Sequence, residues 1–531
     1  MNQDVFSKAD LRDDKTKSGA AKWADSAIIV CLFLFAGFAP HSIAATQTAW
    51  LVGMLLWVVR FAFNPPPIVH RTPVDHALLG FFVLTGLSAF LSYEPLVSIG
   101  KLRAASLFTI VYLFAENIPS RRVVRLLALT LVASCMVNVL FTVGERVVGR
   151  GIKIQNVSAT SPLSAATLTV RGMNRPVPLK SGDTLLAVDG KPLADPQELV
   201  TALAASGPSR ALLKIYRVEW IPTLEVPRGR LLPGATPGEQ LGISAWSRGR
   251  DWRASGFYNH YVTYAEALQL ILALAVGLFV SLPVKRSWMG AFLRTAIAGL
   301  GFSLLLTVTR ASWLAFLISA AIIVLLGASR RTILIIGALA IPLVLAGVFV
   351  LQQKRHVGFF DQRDESTTWR ETVWREGFDL LVSKPRHLLV GVGMDSLKAH
   401  WREWGLFDHG RLPMGHMHSN LLQLALERGL PALIVWLLLL GVYARLLWRL
   451  VRRGLPIGPG PSEVSFTGAA HDWPSGGWMD RGIALGALGG LAGFFSSGLV
   501  HYNWGDSEVV MIFYFIMGLT LVLEREARLK R

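Results

Sequence analysis

The sequence predicts an all-α polytopic membrane protein of about twelve transmembrane helices, interrupted by an α+β insert and by a second, helical segment outside the membrane. Three observations carry this. The 531-residue chain is 52% hydrophobic and 17% charged, with a mean hydropathy of +0.45, too apolar for a soluble multidomain protein. Apolar runs near the length that crosses about 30 Å of hydrocarbon recur from end to end. None alternates with period two, so each backbone must satisfy itself as a helix rather than in a barrel.

In chain order the runs fall at 24–41, 46–63, 76–91, 102–115, 124–143, 261–282, 291–308, 312–326, 332–351, 430–447, 482–500 and 509–523. They divide the chain into helices 1–5 (1–143), an insert (144–260), helices 6–9 (261–351), a polar segment (352–429) and helices 10–12 (430–531) with a loop at 448–481. The first run follows a polar stretch without a small-residue cleavage site and is expected to be retained as a span. Cys31 and Cys135 lie inside expected spans, so no disulfide framework can be read from them.

Short inward-facing loops retain Lys and Arg. Lys8 to Lys22, Arg60, Arg71, Arg121, Arg122, Arg125, Lys285, Arg286, Arg294, Arg330, Arg331, Arg445 to Arg453 and the 525–531 tail therefore mark the cytoplasmic side, with both termini on it. The net charge of +18 reads mostly as topology and only weakly as a hint of nucleic acid. The insert and the polar segment then face outward.

The insert begins where Gly, Pro, Thr and Ser replace the apolar runs. Gly182-Asp183-Thr-Leu-Leu-Ala-Val-Asp189-Gly190-Lys191-Pro192 reads as strand, turn, strand, with Asp189-Gly190 as the hairpin signal. A helix is expected at about 196–205 and a strand at 211–218. The pattern, over about 168–218, resembles a bacterial PDZ domain, whose groove accepts a peptide as an added strand. A Gly-rich carboxylate loop would have to come from 164–173, and none is evident there, which favours a spacer or docking role. None of the twelve histidines is followed by Glu, which removes the His-Glu-x-x-His signature of an intramembrane metalloprotease.

The polar segment is rich in Arg, His and Trp. Trp369-Arg370-Glu371-Thr372-Val373-Trp374-Arg375-Glu376 reads as a helix, with Arg370 and Trp374 on one face. An Arg beside an aromatic can hold a phosphate while the ring stacks on a sugar or lipid chain. His416-Met417-His418-Ser419-Asn420 opens the next apolar run, placing a titratable cluster at the mouth of a span. Arg310, in the short turn Thr307-Val308-Thr309-Arg310-Ala311-Ser312-Trp313, and Arg253, just before another span, are arginines at a membrane edge and hence candidate functional sites or snorkelling anchors. His416 and His418 with His409 or Asp408 could ligate zinc, but no third ligand has a recognisable spacing, so no metal is expected. Glu427 reads as a base or, more readily, as a group that pairs with a basic neighbour and fixes a helix end.

Four stretches in this order resemble the bacterial O-antigen ligase and O-antigen polymerase superfamily: 253–266 ("R-x-S-G-x-(F/Y)-x-N"), 307–315 ("T-x-(S/T)-R-x-x-W-L-A"), 374–393 (a helix, then "hP-x-x-G-x-G") and 418–429 ("H-(N/S)-x-x-L-Q-L-x-x-E-x-G"). The PDZ-like insert departs from that pattern. The resemblance implies a bacterial inner-membrane, metal-independent, inverting glycosyltransferase without cofactor, acting on the periplasmic side. It would move a glycan from undecaprenyl pyrophosphate to an acceptor hydroxyl, ligase-like, with lipid A core as acceptor. Under this reading His418, at a pKa near ~6.5, is the catalytic base, and Arg310, Arg370, Arg253 and Arg375 hold the pyrophosphate. His416, Ser419, Asn420, Glu427 and Trp374 would support them. A polymerase, a protein O-oligosaccharyltransferase, and a non-enzymatic glycan transporter or PDZ scaffold that recruits a peptide or assembly partner are the competing readings. A transporter would need charges lining a path through the spans, and these look scarce.

Overall fold

A computed structural model describes residues 17–170, 173–217, 221–250, 252–258, 260–335, 338, 365–412, 415–453 and 477–529. The chain forms two compact units, one of 1–138 with 257–531 and the other Val139–Gly256.

Among the described residues nine helices are long and apolar enough to cross a membrane. They are α1 (Gly19–Phe38), α2 (Ile43–Arg60), α4 (Pro95–Asn117), α5 (Arg121–Val148), α8 (Tyr261–Ser281), α9 (Trp288–Leu306), α10 (Arg310–Gly327), α14 (Asn420–Arg452) and α16 (Ser507–Leu529). Two of the twelve expected spans are helices that fall short of that measure. Helix α3 (Asp75–Phe90) has 16 residues, about 24 Å of rise, and α15 (Gly477–Gly498) is diluted by glycine. The run at 332–351 lies mostly outside the described residues, as does most of the 448–481 loop.

The glycines of α15 have a packing reason. A Cβ on Gly486 would come within 2.7 Å of Leu274 Cα on α8, and one on Gly489 within 2.8 Å of the Ser319 carbonyl on α10. Small residues let helix backbones approach closely where lipid supplies no hydrophobic drive between them. Helices α8, α10 and α15 thus form a tight centre in which α8 is almost wholly buried.

Helix α14 is broken at Gly429, where φ is +82° and ψ is 165°. Pro431 has no N–H, so the Glu427 carbonyl four residues earlier loses its helical donor. The loop after the helix α11 (Glu365–Val382) and the short α12 (Pro385–Val390) replaces it. Val392 N–H donates to the Leu426 carbonyl at 2.8 Å and Gly393 N–H to the Glu427 carbonyl at 2.9 Å. Ser88 Oγ on α3 also donates to the Glu427 carbonyl, at 2.7 Å.

In the Val139–Gly256 unit, strands β1 (Ile152–Val157), β2 (Thr167–Val170), β3 (Met173–Pro176), β4 (Thr184–Val188), β6 (Arg210–Tyr216), β7 (Thr223–Pro227) and β8 (Ile243–Arg248) form an antiparallel sheet in the order β3-β2-β7-β6-β4-β1-β8. The short β5 (Lys191–Pro192) pairs with β4. The expected hairpin is present, turning through Asp189 and Gly190 at φ +49° and +79°. Helix α6 (Pro196–Ala204) follows, with a capping box between Asp195 and Glu198. It covers a core that includes Ile154, Leu185, Leu199, Leu213 and Val226. The sheet is wider than expected, because β1 and β8 pair with each other and bring the two ends of the unit side by side.

Candidate active site

The loop between 415 and 419 is pinned by its middle residue. Met417 is fully buried. Its N–H donates to Gln423 Oε1 at 2.7 Å, and its carbonyl accepts Trp374 Nε1 of α11 at 2.8 Å. Gly377, one turn on, makes room: a Cβ there would lie 2.8 Å from Met417 Sδ. With Met417 held inward, the flanking histidine rings lie 4.0 Å apart. His418 stands at φ +48°, a conformation that costs a non-glycine residue free energy and is kept where surrounding structure imposes it. Its N–H donates to His416 Nδ1 at 3.1 Å, and its ring meets the edge of Trp369 with centroids 4.5 Å apart. The shared α11 face expected for Arg370 and Trp374 therefore abuts this loop, while Arg375 is exposed on α11.

The electrostatics correct one expectation. Burial, reinforced by the charges of His501, Lys398 and His260, lowers His416 to about 4. Burial, with His416, His501, Arg370 and His260, lowers His418 to about 2. His418 therefore does not sit near 6.5 without a ligand, since a second positive charge is disfavoured among cations in a poorly hydrated site. His501 and His260 thus act on both His416 and His418, and Arg370 acts on His418. Both histidines are neutral at pH 7, and the cluster is poised for an anion.

Behind the cluster lies a buried carboxylate that the sequence reading left unassigned. Glu266, on α8, is 0% exposed. Its Oε1 accepts His501 Nδ1 at 2.9 Å and Ser312 Oγ at 3.2 Å. Its Oε2 accepts Ser497 Oγ at 2.6 Å and Asn503 Nδ2 at 3.2 Å. Asn503 Oδ1 in turn accepts Asn420 Nδ2 at 2.6 Å, and Asn420 Oδ1 accepts the Trp504 N–H at 3.1 Å. Arg310 opens α10 two residues before Ser312. The 499–506 loop that supplies His501 and Asn503 is a polar cluster between two apolar runs, the same signal that marks 416–420.

Glu427 is buried and fully engaged. Its Oε1 accepts Gln423 Nε2 at 2.8 Å and the Asp395 N–H at 3.2 Å, and its Oε2 accepts the Tyr502 hydroxyl at 3.3 Å. The Tyr502 ring lies 5.6 Å from that of His416, so Glu427 braces the site. Ser419 is buried and its carbonyl accepts the Gln423 N–H. Arg253 lies in the Val139–Gly256 unit, half-buried, with its backbone N–H donating to the Tyr216 hydroxyl at 3.3 Å. His387 is buried structurally, bound to Tyr93 and to the Leu380 carbonyl. Among the described residues no group of three or more His, Cys, Asp or Glu is placed to hold a metal ion.

No curated protein matches the chain. A family model described as O-antigen ligase matches residues 295–437. Residues 295–437 belong to the O-antigen ligase superfamily. This match, with the apolar helices, supports a multi-pass membrane glycan enzyme of ligase or polymerase type. The O-antigen ligase segment includes Arg310, Arg370, Trp374, Arg375, His416, His418, Ser419, Asn420 and Glu427, whereas Arg253, Glu266 and His501 lie outside it.

Proposed function

We propose that the protein is an inverting glycosyltransferase of the bacterial inner membrane, with both termini cytoplasmic and its site facing the periplasm. It moves a glycan from undecaprenyl pyrophosphate to an acceptor hydroxyl, in the manner of an O-antigen ligase acting on lipid A core. The observation that carries this reading is His418, strained at φ +48° against Trp369 and beside His416, inside the O-antigen ligase segment.

The acceptor oxygen attacks the anomeric carbon from the face opposite the pyrophosphate, and its proton passes to the imidazole of His418. The bond between the anomeric carbon and the pyrophosphate oxygen breaks, and undecaprenyl pyrophosphate leaves with the electron pair. Arg310 and Arg370 meet the charge that grows on it, with Arg375 as an outer contributor. His418 holds its proton poorly among cations alone, and the donor's negative charges reverse that balance. The base thus becomes competent once the donor is bound. The chemistry as written needs neither metal nor cofactor. The insert, PDZ-like in its hairpin and helix, serves as a docking surface for a peptide or assembly partner.

The surface polysaccharide of a deletion strain tests the acceptor. Long lipid-linked chains left unattached to lipid A core are expected. Single-repeat glycans attached to lipid A core would instead identify a polymerase.

A further inference from the structure

The best-satisfied polar group beside the cluster is Glu266. A carboxylate offers about four lone-pair directions, and here four donors from three elements fill both oxygens. Three of the four arms lead toward the transfer site. Ser312 is two residues from Arg310 at the start of α10. Asn503 holds Asn420, two residues from His418 at the start of α14. His501 gives its Nδ1 to Glu266, which fixes the ring's orientation and leaves Nε2 as its remaining basic atom. His501 also acts electrostatically on both His416 and His418.

Building on the glycosyltransferase reading, we propose that Glu266 is a positioning residue for the transfer reaction: one buried carboxylate sets Arg310, through Ser312, and His418, through Asn503 and Asn420, against each other, and it orients His501 beside them. This joins motifs that are far apart in sequence. A single joint explains how a donor-holding arginine and a proton-accepting histidine on different helices keep one spacing, and a misplacement of about 1 Å at such a site costs on the order of 100-fold in rate.

The test uses full-length protein in nanodiscs with lipid-linked donor and acceptor, with rates expressed per donor-binding site and melting followed in parallel. Ser312→Ala cuts only the Arg310 arm and is expected to raise donor KM about tenfold with little change in kcat. Asn420→Ala cuts only the His418 arm and is expected to lower kcat about tenfold with little change in donor KM. Glu266→Gln, which keeps the shape but removes the charge, is expected to do both. A Glu266→Gln protein with wild-type constants, or Ser312→Ala and Asn420→Ala changing the same constant alike, overturns the proposal. If Glu266→Gln does not fold, the two single-arm variants decide. His418→Gln is measured alongside: a dead His418→Gln beside unaffected arm variants sinks only this proposal, an active His418→Gln removes the base assignment on which the His418 arm rests, and a wild-type protein that transfers no glycan from the lipid-linked donor sinks the glycosyltransferase reading itself.

Discussion

Gly393 donates its N–H to the carbonyl of Glu427 at 2.9 Å, closing the gap that Pro431 leaves in helix α14. Two motifs distant in sequence, the Gly391-Val392-Gly393 loop and Glu427-Arg428-Gly429-Leu430-Pro431, are therefore halves of one joint. Both sides need glycine. Gly393 has φ +96° and a Cβ there would lie 1.8 Å from Ser92 Oγ; Gly429 has φ +82° and a Cβ would lie 2.3 Å from the Leu389 carbonyl oxygen.

Gly429→Ala is expected to destabilise the protein by roughly 3 kcal/mol or more, combining a disallowed backbone with a clash against main chain that cannot swing away. Thermal melting in detergent checks this. Gly441→Ala, on the same helix with open space around its Cβ, is expected to melt at or above the wild type.

Asp506 yields a pH-dependent stability. Burial, aided by the nearby Glu508 and Glu266 and opposed by a bond from Thr263, raises its carboxyl to about 7. A group whose folded pKa is raised contributes stability that is present below its unfolded value and lost as pH climbs through the folded one. Asp506→Asn keeps an oxygen for Thr263 and cannot ionise. Its melting temperature is expected to gain on the wild type as pH rises from about 4 to about 7 and to hold that lead above. A constant difference across this range would contradict the assignment.

Donor binding is expected to take up protons. An anion beside His418 and His416 raises both from their lowered values, so uptake grows as pH falls from 7 to 5. Calorimetry of donor binding in two buffers of different ionisation enthalpy measures it, and His418→Gln should show less.

Trp374→Phe removes the bond to the Met417 carbonyl while keeping the ring. It is expected to lower kcat about tenfold by loosening the 416–418 loop, with stability reduced by about 1 kcal/mol. Arg370→Ala is expected to raise donor KM and leave acceptor KM unchanged, as steady-state kinetics with each substrate varied would show.

The sequence made the outline legible and the joints obscure, for physical reasons. Membrane helices announce themselves by apolar length, and Asp189-Gly190 by its demand for two positive φ angles. The run at 482–500 marked helix α15 even though its glycines, which serve close packing against α8 and α10, dilute its apolar character. Strand β8 was not anticipated because Ala245, Trp246 and Ser247 are all exposed, so no alternation marks it. In the site, His418, Arg370 and Trp374 carried local signals of spacing and chemistry. Glu266 did not: it sits inside an apolar helix, and its partners come from α10, α15 and the 499–506 loop, a convergence visible only in three dimensions. The lowered pKa values of His416 and His418 were equally hidden, since they depend on burial and on cations from other segments.

The central claim is that His418 accepts the acceptor's proton in a glycan transfer from a lipid-linked donor. The direct measurement is single-turnover transfer by purified His418→Gln protein in nanodiscs, with donor binding measured on the same sample. The account predicts donor binding within a few-fold of wild type and transfer slowed at least about 100-fold. Transfer at the wild-type rate by a His418→Gln protein that binds donor normally would contradict it.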